Sequence, residues 1–149
     1  MTTRVVVLNG PNLNLLGRRE PEVYGRTTLA EIESMVRADA SGLGVDIEWH
    51  QSNHEGMLVD LVQGMMGRAD GAIVNAGALT HTSMALRDAL LAVRIPFVEL
   101  HLSNIFAREP ERRHSMIADL AVGMVTGFGA ESYRLALHAL VGRLRAARA

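Results

Sequence analysis

Five short apolar runs, separated for the most part by stretches with helical spacing, constrain this chain more than any other feature. Val5-Val6-Val7-Leu8 breaks hard at Asn9-Gly10-Pro11, as a strand buried on both faces does. Val45, Ile47 and Trp49 alternate with Asp46, Glu48 and His50, which predicts a second strand with one wetter face, nearer a sheet edge. Residues 71–75, 97–101 and 122–126 supply the other three runs. Between them, Thr28-Leu29-Ala30-Glu31 is a capping-box pattern that opens a helix closed by Gly42-Leu43-Gly44. Residues 55–68 read as a helix with Leu58, Leu61, Val62, Met65 and Met66 on its buried side. Thr82 or Ser83 can cap a third helix through Leu86 and Leu90, and a last one starts near Ala130 and buries Tyr133, Leu137, Leu140, Val141 and Leu144.

Strand and helix alternate until the fourth strand, after which a polar, arginine-rich segment intervenes. That order predicts an α/β protein with one five-stranded parallel sheet and helices on both faces. Right-handed crossovers then give a flavodoxin-like three-layer sandwich with the first strand internal, in a single domain over residues 1–149. In such sheets ligands bind beyond the carboxyl ends of the strands. The rule gathers distant residues: Asn12, Arg19 and Tyr24 follow strand one; Asn75 and His81 follow strand three; His101, Ser103, Arg108 and Arg112 follow strand four. The connection after strand one is unusual, because about seventeen residues pass before the next helix signal where about 2–6 are usual. Loops of that length in compact domains tend to be active-site lids.

Composition narrows the chemistry. All fifteen basic residues are arginine, so lysine Schiff bases, lysine general bases and the P-loop lysine are excluded. The absence of cysteine removes disulfides, thiolate metal sites and cysteine nucleophiles. A formal net charge of −1 points away from nucleic acid or an anionic membrane as the main partner. No apolar run approaches the roughly 18 residues of a membrane span. The opening MTTRVVVLNGP lacks a signal peptide's apolar core, so a cytoplasmic location is expected. His50 and His54 straddle a strand end and do not form a helical ligand pair, so no metal is expected. Gly10-Pro11-Asn12 matches neither a dinucleotide fingerprint nor a P-loop, and Ser103 lacks a nucleophile elbow.

Proton transfer is left to histidine, carboxylate or tyrosine. A free phenol titrates near pH 10, so a phenolate base near pH 7 needs about 4 kcal/mol of stabilisation. Arg18, Arg19 and Arg108 are the guanidinium groups available to Tyr24, although a lone loop tyrosine is more often an amphipathic anchor. Glu99 lies two positions before His101, so both side chains leave the strand on one face. A carboxylate there can hold the imidazole's tautomer and favour its protonated form, suiting it to give up a proton. Alone, a strand-end histidine reads as a satisfied structural group.

The runs LNGPNLNLLGRREPEVYG, QSNHEG, NAGALTHTSMALRDAL and VELHLSNIFAREPERRHS, with GFGAESYRLAL near the end, resemble type II 3-dehydroquinate dehydratases along nearly the whole chain. The resemblance implies the flavodoxin-like fold, no cofactor or metal, and a homo-oligomer that is a dodecamer (a tetramer of trimers). It implies reversible dehydration of 3-dehydroquinate to 3-dehydroshikimate through an enolate, in the shikimate pathway to chorismate and aromatic amino acids or in quinate catabolism. By resemblance Tyr24 is the base, Arg19 lies on a mobile lid, Asn12 holds a water at the enolate oxygen, and His101, oriented by Glu99, protonates the departing C1 hydroxyl. Leu102 and Ser103 would bind the carboxylate; Asn75, His81 and Arg112 the ring hydroxyls; Arg108 would make the surroundings of Tyr24 electropositive. Asp88, by itself only an exposed helix residue, would cross into a neighbouring subunit's site.

The chain departs from the family pattern at four positions: Ala76 for a common proline, Leu79 for an aromatic, Glu111 for phenylalanine and Arg113 for histidine. The first is expected to soften the turn that aims Asn75, and Glu111 to draw Arg108 or Arg112 away from their work.

Overall fold

A computed structural model describes residues 2–148. Strands β1 (Thr3–Asn9), β2 (Val45–Gln51), β3 (Gly71–Asn75), β4 (Phe97–His101) and β5 (Gly123–Thr126) form one sheet in the order β2-β1-β3-β4-β5. Every pairing is parallel. The first strand is internal and β2 lies at an edge, as its alternating polarity requires; Val45 alone in β2 is buried.

Alternation along the strands divides the core in two. Val5, Val7, Ile73, Val98 and Leu100 face helices α2 (Leu29–Leu43) and α5 (Glu131–Arg148). Val6, Leu8, Ala72, Val74 and Phe97 face α3 (Glu55–Gln63) and α4 (Met84–Val93). The capping box on α2 forms: Glu31 N–H donates to Thr28 Oγ1 at 3.2 Å and Thr28 N–H to Glu31 Oε1 at 3.1 Å. Ser83 caps α4 by accepting from Leu86 N–H at 2.9 Å.

Two stretches differ from the sequence reading. Helix α3 stops at Gln63 rather than continuing to Arg68, and Gly64 begins a turn. Arg68 folds back there, donating to Gly64 O at 2.8 Å and in a bidentate pair to Glu48 at 2.6 and 3.0 Å. That guanidinium holds the Glu48 carboxyl down at about 2, against a smaller opposing effect of burial. Met65 stays buried, but Met66 turns outward at 60 % exposure because the helical period has ended. The long connection after β1 is also more ordered than a lid of irregular chain. It contains a 3-10 turn (Leu13–Leu15) and a single helical turn, α1 (Pro21–Tyr24).

Among the described residues no helix is long and apolar enough to cross a membrane. Where β1 and β3 end together, Asn9 opposite Asn75, a buried polar bridge joins them to α5. Tyr133 Oη donates to Asn9 Oδ1 at 2.6 Å and accepts from Asn75 Nδ2 at 3.0 Å.

Candidate active site

The carboxyl ends of β1, β3 and β4 open into a cavity of about 160 Å³. Backbone contact brings the first two connections together: Gly10 N–H donates to Asn75 O at 2.8 Å, and a Cβ on Gly10 would lie 2.3 Å from Ala76 O. Glycine is required at that approach. Ala76 is itself buried at 2 % exposure. Asn12 follows in the left-handed region (φ 70°), a conformation asparagine tolerates, and its N–H donates to Asn53 Oδ1 at 3.0 Å. Gln51 Nε2 donates to the same Oδ1 at 3.1 Å and to Gly10 O at 3.2 Å.

Tyr24, at the end of α1, reaches the cavity with two guanidinium groups near its ring. Arg108 Nη1 donates to the phenol oxygen at 2.8 Å. The Arg108 and Arg19 guanidinium carbons lie 5.4 and 5.2 Å from the ring centre. Arg108 thus contacts the phenol oxygen itself, and Arg19 the ring. Arg18, the third guanidinium the sequence offered, is exposed and does not line the cavity.

Opposite, β4 delivers a histidine paired with a carboxylate. His101 is 5 % exposed and Glu99 fully buried, with His101 Nε2 and Glu99 Oε2 2.5 Å apart. Two-residue spacing on a strand puts both on the α3/α4 face, as expected. The His81 ring lies nearly parallel to that of His101, with centroids 6.5 Å apart. His81 Nδ1 meets the carbonyl of His114 at 2.7 Å; a carbonyl only accepts, so Nδ1 carries the hydrogen. Burial pushes His81 below the ordinary imidazole range; the His114 bond opposes this, and positive charge at His101 and Arg112 adds to it. A neutral His81 therefore offers Nε2 as a hydrogen-bond acceptor.

Of the sequence-predicted residues, Asn12, Arg19, Tyr24, Asn75, His81, His101, Leu102, Ser103, Arg108 and Arg112 line this one cavity. Glu99 stands behind it, reaching it only through His101. The turn carrying Leu102 and Ser103 is fixed by its carbonyls, which accept from Gly129 N–H and Thr126 Oγ1, each at 2.9 Å. Asp88 is exposed on α4 and does not line the cavity of its own chain. One expectation is corrected: Arg112 pairs with Glu109, not Glu111, because both sit on one short turn at i and i+3, while Glu111 is exposed. Arg113 Nε donates to Arg108 O at 2.6 Å and so braces the arginine that holds Tyr24.

Local sequence pattern does not single out Asn53, Gln51, Tyr133 or Ser115 for a place behind the site. The run QSNHEG contains the first two, but only the register Asn9 opposite Gln51 brings them to Asn12. Tyr133 was legible only as core. A second, larger groove of about 720 Å³ runs open along β2 beside Arg37 and Trp49; it holds none of the candidate residues. The arrangement as a whole is cationic, has no carboxylate in its lining among the described residues, and sets a phenol and two imidazoles in one small space. It suits proton removal and proton delivery on a small anion. Among the described residues no group of three His, Asp or Glu side chains is placed to hold a metal.

The profile of a family described as "Dehydroquinase class II" matches residues 3–141. A 3-dehydroquinate dehydratase of Synechococcus sp. (strain WH7803) is 59 % identical over 142 residues, covering 95 % of this chain and 97 % of that protein. A catabolic 3-dehydroquinase of Aspergillus terreus is 55 % identical over 137 residues, covering 92 % and 90 %. The crystal structure of a type II dehydroquinase from Butyrivibrio crossotus superposes with a TM-score of 0.91 at 37 % identity, over 93 % of this chain and 97 % of that one.

Proposed function

The chain belongs to the class II dehydroquinase family, and from that membership we propose that it reversibly dehydrates 3-dehydroquinate to 3-dehydroshikimate through an enolate. The observation that carries the mechanism is the phenol of Tyr24, held by Arg108 and flanked by Arg19, in the same cavity as a histidine backed by a buried carboxylate. The substrate is a β-hydroxy ketone, so its C2 hydrogen is acidified by the carbonyl. Tyr24 takes that proton, and the electron pair moves onto the carbonyl oxygen. With no lysine to form an iminium, this charge is borne electrostatically, by a water on Asn12. The enolate then expels the C1 hydroxyl, which leaves as water with a proton from His101.

Arg19 completes the site as part of the segment that closes over it. The turn at Leu102 and Ser103 holds the substrate carboxylate, and Asn75, neutral His81 and Arg112 hold the ring hydroxyls. We assign the whole chain to one catalytic domain acting in the cytoplasm without metal or cofactor, in aromatic biosynthesis or quinate breakdown; one reaction serves both. It works as a dodecamer of four trimers in which Asp88, remote from the cavity of its own chain, serves a neighbour's. Mixing the protein with 3-dehydroquinate and following the ultraviolet absorbance of the enone tests the activity. A steady rise is expected, and a flat trace with folded protein defeats the reading.

A further inference from the structure

The hydrogen-bond chain behind His101 does not end at Glu99. Each oxygen of that fully buried carboxylate has a partner: Oε2 meets His101 Nε2 at 2.5 Å, and Oε1 accepts from Ser115 Oγ at 2.8 Å. Ser115 belongs to the arginine-rich segment after β4, far from Glu99 in role as the sequence presents it. Its oxygen also accepts from the N–H groups of Ile117 and Ala118, both at 3.1 Å. A hydroxyl has one hydrogen and two lone pairs. The backbone donors occupy both lone pairs, so the hydrogen has one place to go, Glu99 Oε1.

From this we infer that Ser115 is a positioning residue: a hydroxyl locked as donor, which keeps Glu99 an acceptor and so decides where the protons of His101 sit. A hydrogen on Glu99 Oε1 would meet an oxygen with no lone pair to offer it. The hydrogen shared across Oε2 and Nε2 is therefore drawn to the imidazole. Nδ1 is left as the ring nitrogen that deals with substrate, and it delivers a proton from a ring carrying hydrogen on both nitrogens, with Glu99 Oε2 accepting from the other. Without the Ser115 hydrogen, the shared proton moves toward Glu99 and leaves a neutral imidazole beside a neutral acid. Such a pair is a poorer proton donor to a leaving hydroxyl.

The segment is anchored well enough to do this. Ile117 is fully buried, and Met116 N–H donates to Thr80 O at 2.8 Å. The preceding residue braces the other imidazole, since His114 Nε2 meets His81 O at 2.8 Å while its carbonyl meets His81 Nδ1 at 2.7 Å. One dipeptide, His114-Ser115, thus sets the hydrogen on both rings of the site.

The inference rests on the reading of His101 as the acid, and the test separates the two. Ser115→Ala, Ser115→Thr, Glu99→Gln and His101→Ala are compared with the wild-type enzyme for kcat and KM on 3-dehydroquinate. In parallel, deuterium entering C2 of recovered substrate in D2O is measured against product formed. Ser115→Ala is expected to lower kcat by about tenfold with KM within about twofold, the loss of one charge-assisted hydrogen bond at the leaving-group step. Because only C–O cleavage is slowed, exchange at C2 should rise relative to product, and Ser115→Thr should recover most of the rate. If Ser115→Ala does not fold, Ser115→Cys, with a weak S–H donor in similar volume, carries the same comparison. Wild-type kcat in Ser115→Ala beside a crippled Glu99→Gln overturns the inference alone, as does a loss that leaves the exchange ratio unchanged and that threonine fails to restore. Wild-type turnover in Glu99→Gln overturns the role given to Glu99, and wild-type turnover in His101→Ala overturns that of His101 itself.

Discussion

Tyr24 and His81 are single side chains of the cavity, each held by a partner from a distant segment. The phenol is held by Arg108 Nη1 at 2.8 Å, from a segment 84 residues away in sequence. If it is the base, Tyr24→Phe removes a general base worth roughly 10²- to 10⁴-fold. We expect kcat to fall by about that factor while substrate binding, read by calorimetry, changes little; near-normal turnover would take Tyr24 out of the role. His81 makes a prediction with a sign. Burial lowers its proton affinity in the fold, so between its native value and the unfolded value near 6.5 the unfolded chain binds more protons. Its contribution to stability is therefore complete above about pH 6.5 and is lost as pH falls below it. An NMR titration should place the His81 midpoint under that of a free imidazole, and a midpoint at or above it would contradict the neutral, accepting Nε2.

Among elements, the junction of the β1 and β3 connections has the least room. A Cβ on Gly10 would sit 2.3 Å from Ala76 O and 2.5 Å from its carbonyl carbon, both backbone atoms that cannot rotate away. Gly10→Ala should destabilise the protein by about 1–3 kcal/mol, the usual range for overpacking. It should also impair turnover, because the displaced turn carries Asn75. Urea unfolding beside the enone assay checks both; an unchanged midpoint would mean the two connections yield easily. The α2 capping box and the Ser83 cap were readable from sequence because capping is local: donor, acceptor and spacing lie within four residues. The early end of α3 was not, because Arg68 is recruited by Glu48 on β2, a strand that the local pattern of residues 55–68 cannot register.

Across the whole molecule, Tyr133 connects the last helix to the sheet under the site. It is fully buried, packs at 5.7 Å from Trp49, and bridges Asn9 to Asn75. Tyr133→Phe would leave two buried polar groups unpaired, a cost of about 2 kcal/mol or more by urea unfolding. Burial also pushes its phenol above the ordinary range, with the Asn75 bond opposing in part. The unfolded chain then loses that proton first, near pH 10, so stability falls as pH rises past 10, and the Phe variant should show a flatter alkaline limb. Assembly belongs to the same scale. Light scattering should return the mass of twelve chains, and a monomer with full activity would refute both the dodecamer and the role given to Asp88.

The order of apolar runs, the local caps and the spacing of Glu99 and His101 determined the parallel sheet, its internal first strand and the edge at which chemistry gathers. Those features depend on periodicity and short-range contact, which a linear sequence records. Only the tertiary structure decided that Glu109 rather than Glu111 meets Arg112, that Arg18 stays outside, and that Asn53, Tyr133 and Ser115 stand behind Asn12, Asn75 and Glu99. Each of these turns on which hydrogen-bonding group faces which across distant segments. Several equivalent donors and acceptors compete for every such partnership, and only the packed chain settles it.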